Sequence, residues 1–168
     1  DFLKGLAKAS GIKTPTRAAM VRLDRMRKKK GSNVEWMSKS DPDSRIAKMK
    51  DGRTRLGHKA EQAVDMKTGA IVAVTIQGAD QGDTTTIEKT VREAQAQIER
   101  IHGDAKLKKV VTDKGYHSTA VLESLDAQGL QAYVSVPMQH RRKWRGDLNA
   151  RRTVYANRRR SQGKYGQA

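Results

Sequence analysis

The clearest apolar pattern in the chain runs from Ile87 through Val91, Ala94, Ile98 and Ile101. These positions follow the i, i+4, i+7, i+11, i+14 ladder of one helix face and predict an amphipathic helix over about 86–101. Upstream, A-I-V-A-V-T-I (70–76) reads as a strand. It is preceded by H-K-A-E-Q-A-V-D (58–65), in which Ala60, Gln62 and Val64 share one side of a second strand. The short turn Asp65–Gly69 joins the two as a hairpin, and G-A-D-Q-G-D-T-T-T (78–86) is a loop leading into the helix. Downstream, K-K-V-V-T-D (108–113) is a short strand ending in an acid, and Lys114-Gly115-Tyr116-His117 turns the chain. Ser118 can cap a helix carrying Val121, Leu122 and Leu125. Gly129 is a left-handed stop, and Q-A-Y-V-S-V (131–136) is a last strand closed by Pro137. Strand–helix–strand units imply a parallel portion of sheet, and the leading hairpin an antiparallel one. The pattern therefore predicts an α/β fold, a mixed sheet with helices packed on it.

The first third is less patterned. Residues 1–13 read as a helical or irregular lead-in. Thr14-Pro15 resembles an N-cap with proline at the first helical position. Ala19, Leu23 and Met26 then continue at helical spacing, predicting a basic helix over about 15–30. Residues 31–57 are polar and rich in Gly, Ser, Asp and Lys, with a turn at S-D-P-D-S-R (40–45), and read as an exposed linker. Three regions follow: a basic helix and polar linker (1–57), a core (58–140), and a basic tail (141–168).

Composition narrows the function. Lys and Arg number 35 against 18 Asp and Glu, a formal net charge of +17, so a polyanionic partner is expected, most often nucleic acid. The excess is clustered, in R-M-R-K-K-K (25–30) and again from Arg141 to Lys164. Aromatics are only 4% of the chain, which favours phosphate contact with duplex DNA over base stacking on single strands. Cysteine is absent, excluding disulfides and thiolate metal sites, and the 4 histidines lack ligand spacing. No apolar run approaches the roughly 18 residues of a membrane span, and no basic-then-apolar leader is present, so a cytoplasmic, DNA-associated (nucleoid) location is expected. Asp1 is not an initiator methionine, and K-Y-G-Q-A closes no element. The chain is accordingly expected to be an internal piece of a longer protein.

Among possible chemical groups, Asp113 stands out. It ends a short strand and is followed by Gly115. In open α/β sheets ligands collect beyond strand carboxyl ends, where a carboxylate can hold a divalent cation and glycine permits close approach. A turn-forming Asp is the plain alternative. Asp65 could share a metal centre with Asp113, or could simply serve its own hairpin turn. Asp80 and Asp83 precede a helix, where acids favour the positive end of the dipole. His58 and His117 are isolated. Tyr116 can pack under the strand end with its hydroxyl on a backbone or phosphate group. Trp144, among Arg141, Arg142, Lys143 and Arg145, can anchor that segment or cover a core edge.

V-V-T-D-K-G-Y-H-S (110–118) resembles the D-x-G-Y-x-S signature of bacterial insertion-sequence transposases of the DDE class. D-P-D-S-R (41–45) is similar to their D-P-[DE]-[AS]-R segment. G-H-K-A-E-Q-A-V-D (57–65) is similar to their G-Y-x-x-Q-x-A-V-D strand and turn. A-N-R-R-R (156–160) is similar to a basic run ahead of their final helix. The order and spacing agree over essentially the whole chain. The resemblance implies a ribonuclease-H-like fold with strand order 3-2-1-4-5. It also implies two Asp and one Glu holding two divalent metals, Mg²⁺ or Mn²⁺, for phosphoryl transfer on DNA. Asp113 matches the second Asp, catalytic and metal-binding, while Asp65 matches the hairpin turn. No D-[GAS]-T motif for the first Asp occurs in residues 1–40, and the Glu is expected beyond Ala168. The first central strand and the final catalytic helix are therefore expected to be absent, leaving a truncated fold that is inactive by itself. Lys114, Arg141, Arg142, Lys143, Arg145, Arg158, Arg159 and Arg160 are expected contacts to double-stranded DNA, at transposon ends and target. Self-association is expected of the full-length enzyme. The alternative is a non-catalytic basic nucleic-acid-binding protein, or a relic of the enzyme.

Overall fold

A computed structural model describes residues 2–28, 32–49, 51–138, 144 and 146–163. The chain clusters into two units, residues 1–57 and 58–168.

In the first unit, α1 (Phe2–Ala9) and α2 (Arg17–Met26) pack together. The cap of α2 is Thr16, not Thr14: its side chain accepts from the Ala19 N–H at 3.2 Å. The segment read as a linker contains real structure. Strand β1 (Arg45–Lys48) pairs antiparallel with the start of β2 (Thr54–Val64), Arg45 opposite Gly57 and Lys48 opposite Thr54. The Asn33 side chain holds Ile46 at both its N–H and its carbonyl, satisfying backbone groups on β1. No apolar alternation marks these residues, which is why the pattern missed them.

The second unit follows the predicted order. From His58 onward β2 pairs antiparallel with β3 (Ile71–Gly78), Ala60 opposite Ile76 and Gln62 opposite Val74. Helix α3 (Asp83–His102) packs on β3. Strand β4 (Lys109–Thr112) is followed by a single 3₁₀ turn (Lys114–Tyr116), then α4 (Thr119–Ala127) and β5 (Gln131–Val134). β4 and β5 pair in parallel, Lys109 opposite Gln131 and Thr112 opposite Val134. Ser118 caps α4 by accepting from the Val121 N–H at 3.1 Å, and Gly129, at φ 73°, supplies the left-handed step from α4 into β5. The basic tail also carries an element: α5 (Leu148–Gln162), capped by Asp147, lies on α4 and β5.

The apolar core gathers Ile87 and Val91 of α3, Val121, Leu122 and Leu125 of α4, Leu130, Ala132 and Val134 at β5, and Val154 of α5. Trp144 packs against its edge. Asn157, fully buried, clamps β5 from α5, its amide donating to the Val134 carbonyl (2.9 Å) and accepting from the Val134 N–H (2.8 Å).

The α/β class with antiparallel and parallel portions is as expected. The antiparallel portion is β1-β2-β3 and the parallel portion β4-β5; among the described residues no ladder joins β2 to β4.

Candidate active site

Asp113 stands directly after β4, with its Oδ1 accepting from the Gly115 N–H at 2.8 Å. It is solvent-exposed, and no described group bonds its other oxygen. Gly115 lies close to both acids: a Cβ at this position would displace the Asp83 carboxylate and would sit 3.1 Å from Asp113 Oδ1. Asp83 and Asp113 therefore flank the same glycine. Asp83 opens α3 as the dipole argument expects, but the N-cap is Gly82 and no side chain caps the helix. The Asp83 carboxylate instead pairs with Lys59.

Lys59 belongs to a charged cluster that the sequence reading overlooked. The inward face of β2 is Lys59 and Glu61, while Ala60, Gln62 and Val64 face outward. Glu61 is 5% exposed. Its Oε1 accepts from the Thr86 hydroxyl, from Lys59 Nζ (2.9 Å) and from the Tyr116 hydroxyl (3.2 Å), and its Oε2 from the Thr90 hydroxyl (2.7 Å). Thr90 also bonds Thr75 of β3 at 2.6 Å. A carboxylate in such a place survives because each oxygen is met by donors. Burial pushes Glu61 upward, yet the Thr86, Thr90 and Lys59 hydrogen bonds and the Lys59 charge outweigh it and hold the acid below its ordinary range. Lys59 loses by desolvation but gains more from Asp83 and Glu61, and stays protonated above the usual lysine range.

Tyr116 packs its ring against the core, with Lys59 Nζ 5.8 Å from the ring centroid. Its hydroxyl meets Glu61, a carboxylate where a backbone or phosphate group was expected. Burial first, then the Glu61 and Asp83 charges, push its phenol up to about 12. Because the folded value lies above the unfolded one of about 10, the associated stability is complete below pH ~10 and fades as pH rises toward 12. The phenolate absorbance of the wild type minus that of Tyr116→Phe is expected to give one titration centred near 12; a midpoint near 10 would remove Glu61 as the hydroxyl's partner.

Asp65 serves its turn. Its carboxylate accepts from the Thr68 hydroxyl (2.6 Å) and N–H (3.1 Å), which hold it below the ordinary carboxylate range, and Gly69 closes the hairpin at φ 74°. Lys114 is exposed on the 3₁₀ turn. Arg158, Arg159 and Arg160 lie inside α5, where about 100° per residue sends neighbours in different directions. Arg159 is exposed, Arg158 lies half-buried over the Tyr155 ring (5.8 Å), and Arg160 turns inward to donate to the Ala132 carbonyl (3.0 Å). Arg141, Arg142, Lys143 and Arg145 lie outside the described residues. No described helix is long and apolar enough to cross a membrane.

A hard, oxygen-only donor with one free position suits Mg²⁺ or Mn²⁺ as a single ligand. Among the described residues, however, no group of three His, Cys, Asp or Glu could hold a metal, so Asp113 would be a contributor and not a complete site.

An exposed acid thus stands at a strand end, beside a closely approached glycine turn, in an α/β frame with a large basic excess. The family described as Transposase DDE domain matches residues 9–166, and the chain belongs to it. Members of this family generally use divalent metal ions. No curated protein and no solved structure matches the chain.

Proposed function

We propose that this chain is catalytic-core sequence of a DNA transposase in which Asp113 is the second metal-binding carboxylate of the DDE triad. The observation that carries the reading is the open Asp113 oxygen at the end of β4. A bound pair of Mg²⁺ or Mn²⁺ ions would supply activation of water or a DNA 3′-hydroxyl and charge stabilisation at the phosphate. Asp113 would hold one side of that pair. Lys114 and the exposed Arg151, Arg152 and Arg159 would neutralise phosphates of double-stranded DNA, positioning the duplex without reading its sequence. Asp113 by itself cannot position both ions, so the chain in isolation is expected to bind DNA without cutting it.

The test is a Mn²⁺ titration of the chain and of Asp113→Asn, followed by line broadening at the 113–116 amides. Saturable broadening that Mg²⁺ competes away and that the variant loses is expected, with DNA affinity in the variant equal or slightly higher. Identical behaviour of both proteins, with salt-sensitive DNA binding and no metal response, would favour the rival reading of a non-catalytic basic binder.

A further inference from the structure

The turn that carries Asp113 is gripped at two points by one ion cluster. On one side the Asp83 carboxylate lies against Gly115. On the other the Tyr116 hydroxyl reaches Glu61 at 3.2 Å. Lys59 joins the two carboxylates, bonding Asp83 directly and Glu61 at 2.9 Å. Lys59 and Glu61 come from β2 and Asp83 from α3, so the grip is exerted by elements other than the strand Asp113 belongs to. It also operates where no hydrogen-bonded ladder joins β2 to β4 among the described residues.

Glu61 is not itself open to a ligand. Thr86, Thr90, Lys59 and Tyr116 occupy both its oxygens, and the residue is 5% exposed. Asp83 pairs with Lys59 through its Oδ1. The centre of the cluster, with both Glu61 oxygens met, is closed to a ligand. What it can do is fix the backbone it touches, since a saturated buried network has one low-energy arrangement. It touches the turn at the Gly115 backbone and the Tyr116 side chain, and the Gly115 N–H in turn holds Asp113 Oδ1.

We propose that Glu61 and Lys59 are positioning residues for Asp113, acting through the Tyr116 hydroxyl and the Asp83 carboxylate to set the direction of the open Asp113 oxygen. The proposal rests on the reading of Asp113 as a metal ligand. Lys59 has a second part: its charge lets Asp83 lie beside Asp113, a juxtaposition of two acids that mutual repulsion otherwise opposes.

The experiment uses the 168-residue chain as wild type, Tyr116→Phe and Glu61→Gln. Backbone ¹⁵N order parameters are measured for Gly115, with Leu122 and Leu125 as core references, and Mn²⁺ affinity is read from broadening at Asp113 and Gly115. In the wild type Gly115 is expected near the rigid value of about 0.85, and in both variants near or below about 0.6, with the core references unmoved. Mn²⁺ binding is expected to weaken on the order of tenfold, as for loss of an outer partner of a metal ligand. Tyr116→Phe removes one hydroxyl and keeps the ring, so it remains informative if Glu61→Gln unfolds. A Gly115 that stays rigid in the folded variants overturns the proposal. A Gly115 that loosens while Mn²⁺ affinity is unchanged also overturns it, reducing the cluster to a stabilising one. If Gly115 loosens and even the wild type takes no Mn²⁺, the grip on the turn stands and the metal assignment of Asp113 falls instead.

Discussion

Replacing Lys59 with Met is expected to destabilise the fold by about 3 kcal/mol at neutral pH, because it strands Glu61 as a buried, unneutralised carboxylate. The Lys59 side chain is 23% exposed and that of Glu61 only 4%, so solvent screens the pair little. The Thr86 and Thr90 hydroxyls would still donate, but burial then opposes ionisation without an ammonium against it. The pH dependence gives the effect its signature. In the wild type Glu61 is held below its unfolded value, so its contribution is present above about pH 4.3 and is lost as pH falls through the lower folded value. In Lys59→Met the folded value is expected to rise instead, and the acid takes up a proton before the wild type does. The stability gap between the two proteins should therefore be widest near pH 7 and shrink toward pH 4. Urea denaturation at both pH values measures it. A gap of equal size at both would mean that the lysine stem, and not its charge, stabilises the fold.

The second large effect is expected at Asn157. Its amide satisfies both the N–H and the carbonyl of Val134, and no part of it is exposed. Asn157→Ala leaves two backbone groups unpaired in the core, each costing about 1–3 kcal/mol. A total loss of about 3 kcal/mol is expected, with α5 released from β5 ahead of global unfolding. Denaturation midpoints and amide exchange along Leu148–Gln162 report the two parts. A loss under about 1 kcal/mol would show that α5 is held by Val154 and its neighbours and not by this clamp.

Much of the second unit could be read from periodicity, because its elements obey simple rules. The Ile87–Ile101 ladder, the apolar run 70–76 and the capping serine before α4 each state their structure locally. The helix nonetheless begins three residues before its predicted start, at Asp83, since its first turn is threonine-rich and has no apolar spacing. Strand β1 and the first part of β2 escaped for a related reason: their register is fixed by pairing and by Asn33, and neither leaves an alternation. Asp113 was legible as an acid at a strand end. Lys59, Glu61 and Asp83 were not, because their significance comes from neighbours 24 to 55 residues away. The one available signal was that Lys59 and Glu61 share the strand face opposite Ala60 and Gln62. A charged pair on an inward face gives no warning unless the helix lying over it, with Thr86 and Thr90, is already known.

Among the described residues the hairpin contributes a single small buried apolar side chain, Ala73 of β3; otherwise it meets α3 through Glu61, Thr75, Thr86 and Thr90. A junction made of hydrogen bonds buries little hydrocarbon, so it adds little to the heat capacity of unfolding. The hairpin is then a cooperative unit of its own, able to open while α3, α4, β5 and α5 remain assembled. Acid should open it before heat does, since protonating one carboxylate removes the attraction at the centre of the joint. Warming to a moderate temperature leaves the ion pair and its donors in place.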